Sequence, residues 1–189
     1  MTIKHGLRVP IVGKPQVTAA YARDVEAAGF DFLWMPDTPL LAGLWRDTYM
    51  HLACAALETK HIRLGPGVTN PITRLPVTVG SAIVTLNELS DGRAELPFGS
   101  GYSSAYIAGR KAASLKAMRE AAELWRSIFS GASTQLGGLE IELDPPHPNI
   151  PIIMAASGPL TLQLAGEIAD GVLIMVGAHP GCIQWALEH

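Results

Sequence analysis

Short apolar runs alternate with stretches of helical periodicity along most of the chain. This alternation is typical of βαβ units and a parallel sheet, because each buried strand is followed by a helix that covers it. The predicted strands are 6–9, 32–36, 62–68, 94–98, 152–155 and 172–176. The sequence therefore predicts an α/β fold with six βα units.

The helical stretches are recognised by apolar residues three or four positions apart. The first helix has the stripe Val17, Ala20, Tyr21, Val25 and Ala28, and ends at Gly29. The second helix is predicted at 44–57. The third starts at Pro76 and has the stripe Val79, Ile83, Leu86 and Leu89, and the fourth has the stripe Leu115, Met118, Ala122, Trp125 and Phe129. The last two are predicted at 159–169 and 180–188. Residues 134–143 instead alternate polar and apolar around Gly137-Gly138, which predicts a small hairpin inserted before the fifth strand.

The length of the chain limits the possible architectures. A complete (β/α)₈ barrel needs about 250 residues at about 30 per unit, whereas this chain has 189. Either the sheet is open and doubly wound, or the chain is a barrel truncated after about six units. No low-complexity tract or charged linker divides it, so we expect a single domain over 1–189.

Composition excludes several classes of function. The formal charge is -3, from 14 basic and 17 acidic residues without a basic run, so neither nucleic acid nor a membrane surface is an expected partner. Cys54 and Cys182 lie far apart, which favours a reducing cytoplasm over a disulfide framework. No apolar run reaches the roughly 20 residues of a membrane span. The six histidines lack metal-ligand spacing, so no metal is expected.

Three glycine-containing loops follow predicted strands and could bind a ligand. After the third strand the chain reads L-G-P-G-V-T-N-P over 64–71. Its glycines permit close approach to a ligand, and Thr69 and Asn70 add polar side chains. A bulge facing a ligand and a purely structural turn are both compatible with this segment.

The second loop is Phe98-Gly99-Ser100-Gly101, which partly matches a dinucleotide fingerprint. It lacks the third glycine, and no helix is predicted directly behind it, so a nicotinamide-dependent Rossmann enzyme is disfavoured. Glycine at a strand end still lets a planar ring lie against the backbone.

The third loop, A-A-S-G-P over 155–159, leads from the fifth strand into a helix. Free N–H groups at a helix start form an anion site, although an ordinary helix cap would have the same sequence.

Asp37 follows the second strand, at the end of a parallel sheet where ligands bind.

Together these loops resemble the luciferase-like monooxygenase superfamily, near methylenetetrahydromethanopterin reductase and other deazaflavin-dependent oxidoreductases. The matching blocks are A-A-G-F-D at 27–31, I-R-L-G-P-G-V-T-N-P-I-T-R-L-P at 62–76, T-L-N-E-L-S-D-G-R at 85–93 and A-A-S-G-P-L-T-L-Q-L-A-G-E-I-A-D-G at 155–171. The resemblance implies a (β/α)₈ TIM barrel with the cofactor ring at the carboxyl ends of the strands.

The resemblance also implies roles for individual residues. Asp37 and Thr38 would lie beside the ring, and Asp37 is the candidate catalytic residue. Gly67-Val68 would form a bulge behind the ring, often with a cis peptide, and Ser157-Gly158 with Val176-Gly177 would hold the phosphate. The full set of predicted cofactor-binding residues is Asp37, Thr38, Gly67, Val68, Thr69, Asn70, Gly99, Ser100, Gly101, Ala155, Ser157, Gly158, Val176 and Gly177.

Four positions depart from the family pattern. Thr38 stands where many relatives have histidine, Tyr102 where the reductase branch has aspartate, and Arg8 where that branch has an acidic residue. Pro97 lies within the fourth strand, where it cannot donate a ladder hydrogen bond.

The resemblance implies an oxidoreductase acting on a small molecule, by hydride transfer or monooxygenation. It also implies coenzyme F420 as the cofactor, with FMN as the alternative. The competing hypothesis is a non-catalytic barrel fragment that acts through a partner or through self-association. We also expect a homo-oligomer, because the outer strands would have unpaired edges, and we expect replacement of Asp37 by alanine to weaken cofactor binding without unfolding the protein.

Overall fold

The computed structural model describes residues 3–11, 13–39, 46–142 and 145–189. Its elements are β1 (Gly6–Arg8), α1 (Pro15–Ala27), β2 (Phe32–Met35), α2 (Thr48–Glu58), β3 (Arg63–Pro66), α3 (Pro76–Leu89), β4 (Leu96–Phe98), α4 (Tyr102–Ile107), α5 (Leu115–Ser130), β5 (Thr134–Leu136), β6 (Leu139–Ile141), β7 (Ile152–Ala156), α6 (Pro159–Ile168), β8 (Gly171–Ile174) and α7 (Pro180–Leu187). The predicted alternation of strands and helices is confirmed. The predicted positions 44–45 and 143 lie outside the described residues.

Six parallel strands stand side by side in chain order. β1 pairs with β2 and β2 with β3, while β4 pairs with β7 and β7 with β8. Two isolated parallel bridges, Leu64 with Ala94 and Thr69 with Phe98, join the two groups. A doubly wound sheet reverses direction at a switch point, and this row does not, so that alternative is wrong for the described strands. β1 and β8 are the ends of the row, and no pairing between them occurs among the described residues.

The predicted hairpin is confirmed as β5 and β6, which pair antiparallel through Leu136 and Leu139. Gly137 and Gly138 form its turn with φ of +59° and +82°. A two-residue turn with both residues at positive φ matches the twist of the two strands, which is why glycine occupies both positions.

The helices cover one face of the strand row. Leu33, Leu64, Phe98 and Met154 point into this core, where Trp125 of α5 packs edge-on against Phe98 at 5.1 Å between ring centroids. Because side chains alternate along a strand, the residues between them point to the opposite, inner face. That face is the one a barrel would enclose.

The predicted buried stripes of α3 and α5 are confirmed except at the helix ends, where Leu89 and Leu115 are exposed. The predicted stripe of α1 is wrong. Val17 is 54% exposed and Tyr21 is 41% exposed, and of the predicted residues only Val25 is buried, together with Thr18, Ala19 and Ala22. The reason is that α1 packs against α2 with small side chains and with a polar contact, which apolar periodicity does not report.

That polar contact involves His51, which is 1% exposed and has its Nδ1 2.7 Å from the Thr18 hydroxyl. Burial lowers the pKa of His51; the charge of Arg46 adds to this effect and Asp47 opposes it. As pH falls, the unfolded chain therefore takes up this proton before the folded protein does. The stabilisation is complete above the unfolded pKa of about 6.5 and decreases below it.

We expect the free energy of unfolding to decrease between about pH 7.5 and about pH 5.5, and we expect His51→Gln to reduce that decrease. Urea denaturation of both proteins at the two pH values measures the difference. The same pH dependence in both proteins would show that His51 is not responsible.

Candidate functional site at the carboxyl ends of the strands

The predicted site residues all follow the carboxyl ends of parallel strands. Asp37 and Thr38 follow β2, residues 67–70 follow β3, residues 99–101 follow β4, residues 155–158 end β7 or follow it, and residues 176–177 follow β8. Since the strands are parallel and in one row, these segments lie along the same end of the sheet.

The segment after β3 is a bulge. Leu64 pairs with Ala94 and Thr69 pairs with Phe98, so the β3 side carries one residue more than the β4 side between these bridges. Within it the Gly67–Val68 peptide bond is cis, as the resemblance implied. Gly67 itself does not have a positive φ. It is required because a Cβ at this position would come within 2.8 Å of the Trp34 Cβ.

Pro97 lies opposite this bulge, which accounts for a proline inside a buried strand. The N–H groups of Glu95 and Gly99 donate to the carbonyls of Leu64 and Thr69, and Pro97 lies midway between these two donors. The missing N–H therefore falls where the bulge interrupts the ladder, as is usual for proline in sheets.

The bulge and the next two strand ends form a tightly packed floor. A Cβ on Gly99 would lie 3.3 Å from the Ala155 Cβ and 3.4 Å from the Val68 Cγ2. Val68 and Ala155 are half-buried, so an apolar surface with little relief continues across β3, β4 and β7. A flat ring could lie against such a surface.

Asp37 lies in a buried polar cluster beside this floor and is only 3% exposed. Its Oδ2 accepts hydrogen bonds from the Thr69 hydroxyl at 2.8 Å and from the Arg74 Nε at 3.0 Å. The Arg74 Nη2 also donates to Asp47 at 2.6 Å. Although burial opposes its charge, the carboxylates of Asp37 and Asp47 raise the pKa of Arg74.

Tyr49 of α2 adds an aromatic ring to the cluster. The Arg74 guanidinium carbon lies 4.7 Å from the centroid of this ring. The Tyr49 hydroxyl is buried, and the Thr69 side chain interacts with it. Burial and the negative charge of Asp37 raise the pKa of the phenol, so Tyr49 stays protonated at neutral pH.

Asn70 is fully buried and organises the loop between β3 and α3. Its Oδ1 accepts from the N–H groups of Ile72 and Thr73, while its Nδ2 donates to the hydroxyls of Thr73 and Ser104, all at 2.9 to 3.0 Å. These bonds occupy the whole amide, so Asn70 shapes the site by holding two loops together.

A short helix begins directly behind Gly101, where the sequence predicted none. This helix is α4, and Gly101 precedes it with φ of +74°. The expectation was wrong because α4 is only six residues long and exposes Tyr102 and Tyr106, so it has no apolar stripe that the sequence pattern could reveal. Gly101 is required by its positive φ and because a Cβ there would lie 2.4 Å from Asn70.

The start of α6 presents one free backbone donor at the end of β7, because the N–H groups of Ser157 and Gly158 donate to the Thr161 Oγ1. Ser157 is exposed, Pro159 is the first residue of the helix, and the Leu160 N–H has no partner among the described residues. Beyond the neighbouring strand β8, Gly177 has φ of +90°, and a Cβ there would meet no atom within 4 Å. The helix dipole and the free N–H favour an anion here.

Sequence reasoning missed several polar residues that support the site, namely Arg74, Asp47, Tyr49, Trp34, Glu95 and Arg63. The Trp34 Nε1 donates to Glu95 at 2.9 Å, and Glu95 also pairs with Arg63. Arg74 could have been found from the sequence, because it lies in the T-R-L-P segment of one of the blocks that match the family. Nothing local indicated the partners of Trp34 and Glu95, because these residues are 61 positions apart.

In the part of the chain that the structure describes, no helix is both long and apolar enough to cross a membrane. The same residues contain no group of three His, Cys, Asp or Glu side chains that could hold a metal ion.

Comparison with known proteins identifies the family. Residues 5–189 match the model of the luciferase-like monooxygenase family. The chain is 38% identical over 180 residues to 5,10-methylenetetrahydromethanopterin reductase of Archaeoglobus fulgidus, an alignment covering 89% of this chain and 52% of that protein. It is 30% identical over 183 residues to the F420-dependent glucose-6-phosphate dehydrogenase of Amycolatopsis mediterranei, covering 86% and 53% respectively.

The fold agrees with this assignment. The coenzyme F420-dependent tetrahydromethanopterin reductase of Methanopyrus kandleri superposes with a TM-score of 0.84 at 27% identity, covering 100% of this chain and 60% of that one. The chain thus spans about half the length of the two sequence relatives. The match over almost all of its residues shows that the chain belongs to the luciferase-like monooxygenase family.

Proposed function

We propose that this chain binds coenzyme F420 at the carboxyl ends of its strands and contributes to an oxidoreductase that transfers a hydride to or from a small molecule. One observation carries the proposal. The flat floor of Gly99, Val68 and Ala155 continues along the same end of the sheet to the free Leu160 N–H at the start of α6. A planar ring joined to a phosphate needs both features.

The residues present fit this cofactor. Gly67, Val68 and Gly99 would support one side of the ring, and Asp37 with Thr38 would lie along its edge. Ser157, Gly158, Val176 and Gly177 would surround the phosphate. When bound, the deazaflavin ring supplies the hydride chemistry, and the protein supplies binding and orientation.

In this proposal the buried polar residues would not touch the ring but would position the segments that do. Thr69 and Asn70 are completely buried, so they would hold the bulge and the β3–α3 loop in place under the ring. Asp37 would orient Thr69 through their 2.8 Å hydrogen bond.

Two relatives support F420 over FMN. The dehydrogenase of Amycolatopsis mediterranei and the reductase structure of Methanopyrus kandleri are both described as F420-dependent. FMN remains the alternative and would imply monooxygenation. Self-association, a cytoplasmic location and the single-domain organisation stay predictions from the sequence.

Substitution of Ser157 by glutamate tests the proposed site. We expect Ser157→Glu to weaken F420 binding about tenfold or more, because a carboxylate would occupy the anion site. The fold should be retained, since an acidic residue at a helix start is favourable. F420 fluorescence titration measures the affinity, and thermal unfolding checks the fold.

The matched control is Ser157→Gln, which has a similar size and no charge. Its affinity should stay within about threefold of the wild type, because only the charge repels the phosphate. Equal affinity for all three proteins would place the phosphate elsewhere. Failure of the wild-type chain to bind F420 or FMN would favour the non-catalytic alternative.

A further inference from the structure

Arg8 ends β1 on the inner face, beside the floor of the site. It pairs in register with Trp34 of β2, which pairs in turn with Gly65 of β3. Their neighbours Leu33 and Leu64 point into the helix-covered core. By the alternation of side chains along strands, Arg8 points to the opposite face.

The bulge anchors the guanidinium of Arg8. Its Nε donates to the carbonyl of Gly67, which belongs to the cis Gly67–Val68 peptide. The Arg8 Cγ also packs within 3.3 Å of where a Gly67 Cβ would lie. Since this contact uses Nε, the two terminal nitrogens stay available and their direction is restricted.

Two other charged side chains on this inner face, Arg63 and Glu95, pair with each other. Glu95 is 8% exposed and also accepts from Trp34. No carboxylate of the described residues forms an ion pair with Arg8, and the Arg8 terminal nitrogens have no partner among them. Arg8 is exposed, so it presents a positive charge to solvent next to the floor.

We propose that Arg8 is a specificity-determining residue that binds an oxyanion, a carboxylate or phosphate, of the substrate. This rests on the proposed function, because it takes the face beside Gly67 and Val68 as the place of the ring. A guanidinium held by its Nε presents a planar pair of N–H groups, which matches an oxyanion in a bidentate manner. Anchoring also reduces the side-chain entropy lost on binding.

The test compares Arg8→Met, which removes the charge and keeps an unbranched stem, with Arg8→Lys, which keeps the charge without the planar fork. Arg23→Met is the matched control, because it makes the same charge change at an exposed position on α1. Each protein is first titrated with F420. The F420-loaded proteins are then titrated with malonate and with inorganic phosphate, and F420 fluorescence is recorded.

For Arg8→Met we expect an F420 affinity within about threefold of the wild type and an affinity for at least one anion that is weaker by about tenfold. Arg8→Lys should lose part of the anion affinity, and Arg23→Met none. Equal anion binding by the wild type and Arg8→Met would overturn the proposal. So would an F420 affinity reduced about tenfold in Arg8→Met, because the arginine would then serve the cofactor site, directly or through the bulge.

A failure of the proposed function is distinguishable from a failure of this inference. If the wild type does not bind F420, the proposed function fails, and the anions are then tested on the cofactor-free proteins by thermal shift. A stabilisation by malonate or phosphate that is lost in Arg8→Met and retained in Arg23→Met would still assign an oxyanion site to Arg8. Equal shifts in these proteins would reject it.

Discussion

Replacing Arg93 with methionine is expected to lower the free energy of unfolding by about 3–4 kcal/mol. The guanidinium is half-buried and joins the end of α2, the start of β3 and the end of α3. Its hydrogen-bond acceptors are the carbonyls of Ala56, Thr59, Ile62 and Ser90 and the hydroxyl of Thr59. Methionine would leave these acceptors without their charged donor, and a buried acceptor without a partner is costly.

Urea denaturation of Arg93→Met against the wild type measures this loss. Arg23→Met is a suitable control, because Arg23 makes a single exposed ion pair with Glu58 at 3.1 Å. That change should cost less than about 1 kcal/mol. A loss for Arg93→Met as small as the control's would mean that water replaces the guanidinium at these carbonyls.

Replacing Asp37 with asparagine is expected to reduce both stability and cofactor affinity. The burial of Asp37 changes the expectation drawn from the sequence, which treated this residue as a loop carboxylate that the fold could spare. Its carboxylate accepts from Thr69 and pairs with Arg74. Loss of the charge should cost about 2–3 kcal/mol of unfolding free energy, and displacement of Thr69 should weaken F420 binding about tenfold.

Asp47→Asn is the matched control for this substitution. Asp47 also pairs with Arg74, but its side chain is 44% exposed, and asparagine caps a helix as well as aspartate does. We expect F420 affinity within about threefold of the wild type. Equal weakening by both variants would show that the effect passes through Arg74, and unchanged affinity in Asp37→Asn would remove Asp37 from the site.

Local sequence patterns determined the order of elements and placed the glycine loops at the ends of strands. Apolar periodicity distinguished strands from helices, prolines at 76, 159 and 180 marked helix starts, and Gly137-Gly138 predicted the hairpin. Each of these signals acts within a few residues. Because the loops after parallel strands lie at one end of a sheet, the same reading located the glycine loops correctly.

Tertiary structure alone decided the strand order, the buried face of α1 and the partners of the polar residues. Asp37 meets Thr69 across 32 positions, and Arg8 meets Gly67 across 59. Periodicity reports which side of an element is apolar, but it carries no information about which distant element covers that side. Hydrogen-bond partners follow from the strand register and the bulge, so the cluster around Asp37 and the available guanidinium of Arg8 became visible only in the folded chain.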